Sequence, residues 1–288
     1  MTSTTHVSPP PAARSLERLQ PVGASHDDVR RYSRARRNVL PRADHVTAVS
    51  GGWAHEVVLH SAAPVEVALW CPAAPPYPDL EATAAAVSAR ATRAFRISER
   101  TLARIQPDAT APALLSVVRL PRSEPRRVLT EDARLVLVAD GIEYAGNLGT
   151  LIRTADACAA DALVLTRATA RVTHPKAFTA SRGMVLTTPV LSYPSIASVR
   201  ADLDNAGFTA YVADPAGATP YRTAGLGTGR TAVVVGSEGD GVSDEWRSGL
   251  TRVAIPMLGR ADSLNVAASA AVLLFEARAT LDETTIQH

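Results

Sequence analysis

From Arg134 onward short apolar runs alternate with amphipathic stretches, and this rhythm limits the possible folds of the 288-residue chain more than any other feature. RLVLVAD, ALVLT, TPVLSY, TAYVAD, TAVVVG and VAIPM are short, rich in β-branched residues and bounded by polar or Gly/Pro positions, so they read as strands. NLGTLIRTADACAA, HPKAFTASRGM, SIASVRADLDNAG, SDEWRSGL and LNVAASAAVLLFEARATL carry helical periodicity between or after them. Such alternation predicts an α/β domain over residues 134–288 with a mostly parallel sheet covered on both faces. Ligands of such sheets belong at the carboxyl ends of the strands.

The first half reads as a smaller α/β domain over residues 22–120. SHDDVRRYSRARRNVL predicts a helix with capping-box spacing between Ser25 and Asp28, and Arg30, Arg34 and Arg37 fall on one face. VTAV, HEVVLH, VEVALWC and ALLSVVRL are expected strands, and DLEATAAAVSAR and SERTLARI expected helices. Residues 1–21, rich in Ser, Thr and Pro, are expected to form a disordered tail, and residues 121–133, within PRSEPRRVLTEDA, a linker. No apolar run spans a bilayer and the N-terminus lacks the apolar centre of a secretory signal, so no membrane partner and a cytoplasmic location are expected. Cys71 and Cys158 have no CxxC spacing; buried thiols are expected, with neither a disulfide nor a metal site. Residues 1–127 carry 17 basic and 11 acidic residues, whereas residues 128–288 carry 13 and 17. That asymmetry suits a polyanion-gripping module joined to one with another task, although a solvated helix surface also accounts for the arginine face.

The strand AVVV runs into GSEGDG, with Gly236, Gly239 and Gly241 around Glu238. Glycines there permit a close backbone approach to a ligand, but the spacing is GxxGxG and the loop comes late in the chain, which disfavours a dinucleotide-binding reading. Two further clusters also stand at strand ends. NLGTLIRTADA places Asn147 and Arg153 in the first helix, and IPMLGRADSLNVAASAAVLLFEA places Ser263, Leu264 and Asn265 before a long small-residue helix. In order and spacing the three clusters resemble the motifs of the SpoU (TrmH) family of the SPOUT superfamily, over about residues 130–280. Where family members carry a proline before the motif-one asparagine this chain has EYAGN, and Glu143 is a candidate for the acidic position.

The resemblance implies an RNA ribose 2′-O-methyltransferase that uses S-adenosylmethionine, a C-terminal deep trefoil knot and a homodimer paired through the C-terminal domain. It implies cofactor contacts at Ala213, Gly236, Ile255, Met257, Ser263 and Leu264, of which Ile255, Met257 and Leu264 also fit simple core packing. It implies catalytic roles for Arg153, Asn147, Glu238, Ser263 and Asn265. A guanidinium is almost always protonated, so Arg153 is expected to grip phosphate and steer the 2′-hydroxyl, the alternative being an ion pair with a neighbouring carboxylate. Glu238 also fits a helix-dipole partner, and Asn265 an N-cap. The N-terminal half more faintly resembles the RNA-binding domain similar to ribosomal protein L30e, with RNA contacts expected at Arg30, Arg31, Arg34 and Arg37. Ribosomal RNA, most of all that of the large subunit, is the expected substrate. The alternatives are a transfer RNA methyltransferase and a catalytically silent RNA-binding or assembly protein.

Overall fold

The computed structural model describes residues 15–72, 80–107, 112–237 and 239–286. The chain divides into two compact units with the boundary between Leu120 and Pro121, residues Thr173–Pro175 grouping with the first.

The first unit is built on a four-stranded sheet of β1 (Val46–Ser50), β2 (Val65–Trp70), β3 (Arg93–Arg96) and β4 (Leu114–Arg119), in the order β1-β4-β2-β3. β4 is antiparallel to β1 and β2, and β2 is parallel to β3. Val67, Leu69 and Cys71 pack with Val29 and Tyr32 of α1 (Asp27–Arg36) and with Leu102 and Ile105 of α4 (Glu99–Ile105). Ala68 and Trp70, pointing to the other face, are buried as well, so both faces are covered. Helices α2 (Gly52–His60) and α3 (Leu80–Arg90) complete this unit.

Three expectations change here. HEVVLH is helical, within α2, because its buried positions Ala54, His55 and Val58 follow a helical period and the His55 ring is tied at both nitrogens. Nδ1 lies 2.7 Å from the Gly51 carbonyl oxygen and Nε2 lies 2.9 Å from Ser116 Oγ. α1 is capped by His26, whose Nδ1 accepts from the Asp28 amide at 3.3 Å, and not by Ser25. Asp28 does not reciprocate as in a capping box, because it accepts a bidentate pair from Arg93. Finally, Leu16 is buried and Pro21 pairs with Arg96 as a parallel bridge, so the end of the tail expected over residues 1–21 belongs to this unit.

In the second unit α5 (Pro125–Val128) is one helical turn within the segment expected as a linker. There follow β5 (Leu135–Asp140), α6 (Ala145–Ala157), β6 (Ala162–Thr166), α7 (Pro175–Ala180), β7 (Val190–Ser192), α8 (Ile196–Asn205) and β8 (Thr209–Ala213). β9 (Thr219–Pro220), β10 (Thr231–Val235), α9 (Asp244–Arg247), β11 (Thr251–Ala254) and α10 (Val266–Ile286) complete it. The strands form a seven-stranded sheet in the order β7-β6-β5-β10-β8-β11-β9, and every pairing is parallel. All residues of β5, β6 and β10 are buried, as continuous apolar runs in a two-sided parallel sheet require. One face packs Val136, Val138, Val164 and Val234 against Ile196, Val199, Leu203 and Trp246, while α10 packs against α6, β10 and β5.

β5, β6 and β7 step outward to one edge, and β8 starts the other side with a place left between it and β5. β10 fills that place. The reversal makes the carboxyl ends of β5, β10 and β8 the natural ligand crevice. Just before β10, Gly227 (φ +81°) lies so close to α10 that an added Cβ would sit 2.1 Å from the Ala277 carbonyl oxygen. Only a glycine allows the incoming segment to pass there.

Candidate active site

Strand β11 stops at Ala254, ahead of Pro256, which has no amide hydrogen for the ladder. The chain then leaves the sheet as a loop to Asn265, whose Oδ1 accepts from the Ala267 amide at 3.0 Å at the start of α10. The loop after β10 is held by its own backbone: the Gly241 amide donates to the Ser237 carbonyl at 3.0 Å and the Asp240 amide to Ser237 Oγ at 3.2 Å. At Gly236 an added Cβ would lie 2.0 Å from Gly241 C and 2.1 Å from Val242 N. The loop therefore folds back onto its own root, which any side chain at Gly236 would prevent.

These loops enclose a cavity of about 400 Å³ at the carboxyl ends of β8, β10 and β11. Ala213, Gly236, Ile255, Met257, Ser263 and Leu264 all line it, so the six residues expected to touch a cofactor meet around one cavity. Among the described residues its charged lining is Asp214, Asp240, Asp262 and Arg247. Asp214 is nearly buried and holds Arg252 Nε at 2.8 Å and Arg247 Nε at 3.4 Å.

A second cavity of about 360 Å³ is lined by Ile142, Glu143, Tyr144, Asn147, Ser237, Gly239, Asp240 and Val266. Ser237, Gly239, Asp240 and Val266 belong to both cavities, so the glycine loop is a common wall. Asn147, in the first turn of α6, stands in the second cavity. Arg153 lies six residues further along the same helix, and at about 100° per residue it faces another side. It is exposed and lines neither cavity of its own chain. Ser263 is exposed and donates to Asp262 Oδ1 at 3.3 Å. Glu238 lies outside the described residues.

Beneath the loop, Asp140 ends β5 with its carboxylate fully buried. It accepts from Arg167 Nε and Nη2, each at 2.8 Å, from Thr166 Oγ1 at 2.9 Å and from the Ser243 amide at 3.0 Å. Burial alone would push this carboxyl up, but the bonds from Arg167, Ser243 and Thr166 outweigh it and hold it below the ordinary value. The far end of the glycine loop is thereby fastened to the sheet.

In the first unit Arg30, Arg34 and Arg37 are exposed, as the helical spacing predicts. Arg31 differs: it pairs with Glu66 at 2.7 Å and Asp44 at 3.0 Å on another side of α1. Asp240, Asp214 and Tyr144 are cavity residues that motif reading passed over. Asp240 could have been found, because it stands inside GSEGDG; Asp214 and Tyr144 carry no local signal of their placement.

A parallel α/β sheet with paired cavities at its strand ends defines an enzyme domain of the class that holds a small cofactor at a topological switch point. More particularly, the chain belongs to the SpoU rRNA Methylase family, whose family model matches residues 134–275. It is 30% identical over 185 residues to the 23S rRNA (guanosine(2553)-2′-O)-methyltransferase RlmP of Bacillus subtilis, covering 64% of this chain and 72% of that protein. It is 30% identical over 179 residues to a 23S rRNA (uridine(2479)-2′-O)-methyltransferase of Streptomyces viridochromogenes, covering 58% of this chain and 60% of that protein. Among solved structures, the SpoU methyltransferase AviRb of Streptomyces viridochromogenes in complex with the cofactor AdoMet superposes with a TM-score of 0.75 at 25% identity, covering 88% of this chain and 97% of that one.

Proposed function

We propose that this protein methylates the 2′-oxygen of a ribose in ribosomal RNA of the large subunit, with S-adenosylmethionine as donor. The observation that carries this is the pair of cavities sharing the glycine loop, one with six expected cofactor residues and the other with Asn147. The first cavity suits the cofactor. Its volume lies in the range of small-ligand sites, and Gly236 leaves the backbone bare. With Asp214 neutralised by Arg252 and Arg247, the carboxylates of Asp240 and Asp262 remain to favour a ligand with a cationic centre. Bound there, S-adenosylmethionine supplies a methyl group on an electrophilic sulfonium.

Gly236, Ile255, Met257 and Leu264 would hold the adenine through their backbone, with Ala213 beside them. Asn147, with an amide that both donates and accepts, would orient the ribose in the second cavity, and Ser263 would assist from the loop before α10. Asn265 supports the site by capping α10. Glu238, outside the described residues, would help to position the substrate, as the family resemblance implies. Arg153 would grip an RNA phosphate beside the reacting ribose. Since it faces away from both cavities of its own chain, it would serve the site of a partner copy in a homodimer. Leu258 and Phe275, exposed apolar residues of this unit, would be available to such a partner.

The strand order, with β10 inserted between β5 and β8 and its lead-in pressed against α10, supports the knotted arrangement expected of the family. The first unit, a mixed sheet covered on both faces, would act as the L30e-like RNA-binding module, with Arg30, Arg34 and Arg37 as phosphate contacts. Arg31 would contribute by positioning α1 through Glu66 and Asp44. A protein with this activity would work in the cytoplasm, where ribosomal RNA is at hand.

The test maps 2′-O-methylated riboses in ribosomal RNA from cells with and without the gene, and assays the full chain on ribosomal and transfer RNA. Loss of one large-subunit mark, restored by the purified protein, is expected. Activity on transfer RNA alone would move the reading to that substrate. Binding without methyl transfer to any RNA would move it to an assembly protein.

A further inference from the structure

We propose that Tyr144 is a platform on which a nucleobase of the substrate RNA stacks, an inference that rests on the RNA-methylating function above. Tyr144 is 66% exposed, although aromatic residues make up only 5% of the chain and most of its large apolar side chains are buried. The fold makes no evident use of its ring. Tyr144 is the N-cap residue of α6, in extended backbone conformation, yet its side chain forms no capping bond, and among the described residues its hydroxyl has no hydrogen-bond partner. Its carbonyl accepts from the Leu148 amide at 3.0 Å, so the residue is anchored to the first turn of a helix rather than to a free loop.

Position gives the ring its meaning. Tyr144 lines the cavity that holds Asn147, and that cavity shares Ser237, Gly239 and Asp240 with the cofactor cavity. A ribose presenting its 2′-oxygen at this common wall brings its own base, or that of an adjoining nucleotide, beside Tyr144. RNA is recognised in single-stranded segments by stacking splayed bases on aromatic side chains, which suits any base because every base has a π-face. A tyrosine with its ring exposed and its root fixed on a helix is built for this contact. Cofactor binding does not need it, since Tyr144 does not line the first cavity.

The test uses the full chain with two probes of equal length and charge, an oligouridylate and an abasic ribose–phosphate chain. The wild type should bind the base-bearing probe roughly tenfold more tightly. Tyr144→Phe should keep that preference, while Tyr144→Ala and Tyr144→Leu should lose it, with S-adenosylmethionine affinity and oligomeric state unchanged. KM for ribosomal RNA should rise in the two non-aromatic variants. An equal loss of affinity for both probes, an unchanged preference in Tyr144→Ala, or a dimer that dissociates in that variant would each overturn the platform. A wild type that shows the preference but methylates no RNA would overturn the function and leave the platform standing.

Discussion

Replacing Gly236 by Ala is the smallest change that tests whether the glycine loop shapes the site. The new methyl would meet the backbone at Gly241 C and Val242 N, at 2.0 and 2.1 Å, where ordinary contacts begin at 3.4 Å. Neither atom is the end of a flexible side chain, so the loop must retreat by more than about 1 Å, and overpacking of this kind costs about 1–3 kcal/mol. At roughly 2–4 °C per kcal/mol for a unit of this size, the melting temperature should fall by about 2–12 °C. The functional loss should exceed the loss of stability, because the same loop walls both cavities and an error of 1 Å in reacting geometry costs on the order of a hundredfold in rate. Calorimetry with S-adenosylmethionine, a thermal melt and a methyl-transfer assay on one preparation measure all three. Wild-type cofactor affinity together with an unchanged melt would refute the claim that Gly236 is there to let the loop close on itself.

Three further perturbations follow from the structure. His55 is fully buried, and burial lowers its pKa to about 4 from an ordinary 6.5. The unfolded chain therefore binds a proton that the folded one refuses, and up to about 3 kcal/mol of stability should vanish as pH falls from 6.5 to 4. Denaturant titrations across that range should show this slope, and it should be absent in His55→Phe. Asp140→Asn would leave the half-exposed Arg167 and the Ser243 amide poorly paired, for a loss of roughly 3 kcal/mol. Because Asp140 titrates below the ordinary carboxylate value, its contribution is complete above that value and fades only as pH drops through the folded pKa, so the variant should differ most from wild type near neutral pH in chemical unfolding. Arg153→Ala should abolish transfer with cofactor affinity and melting temperature intact. Hybrids with a cofactor-blind Gly236→Trp chain should regain activity if Arg153 serves the partner's site, and verified but inactive hybrids would assign it to its own.

β5, β6 and β10 were legible because each is an apolar run buried on both faces, a pattern that needs no knowledge of neighbours. The two-residue β9, Thr219–Pro220, has no such run and was not among the expected strands. What escaped was set by distant contacts. HEVVLH has the apolar content of a strand, and the helix is favoured by which of its positions find burial and by the ring of His55, held at Gly51 and at Ser116, 61 positions away. RAFR carries arginines at both ends and was missed as β3; it is stabilised by pairing with β2 and by the ion pair from Arg93 to Asp28. In the candidate site, motif spacing found the residues whose backbone must be bare or must turn, such as Gly236 and the loop before Asn265. The six-residue spacing puts Asn147 and Arg153 on different sides of one helix, but which side faces the cavities is set by how the sheet and the glycine loop pack, so the exposure of Arg153 was not in the motif. Nor could it reveal Asp214, whose burial depends on Arg247 and Arg252, more than thirty positions on.

The site is specified more by backbone than by reactive side chains. Its dividing wall is a loop closed by the bond from the Gly241 amide to the Ser237 carbonyl, admitted by the absence of a side chain at Gly236, and moored at Ser243 by Asp140. On the proposed reading, a donor in one cavity and an acceptor in the other meet at that wall, so its position would set the distance between them. Since the transfer needs an in-line approach, small movements of the wall matter more than the loss of any one polar contact to either ligand. Asp140→Asn frees the loop from below and Gly236→Ala pushes it from within, so both should impair methyl transfer beyond their effect on binding. If instead only binding suffers, the separation is set elsewhere, and the loop before α10 becomes the element to perturb.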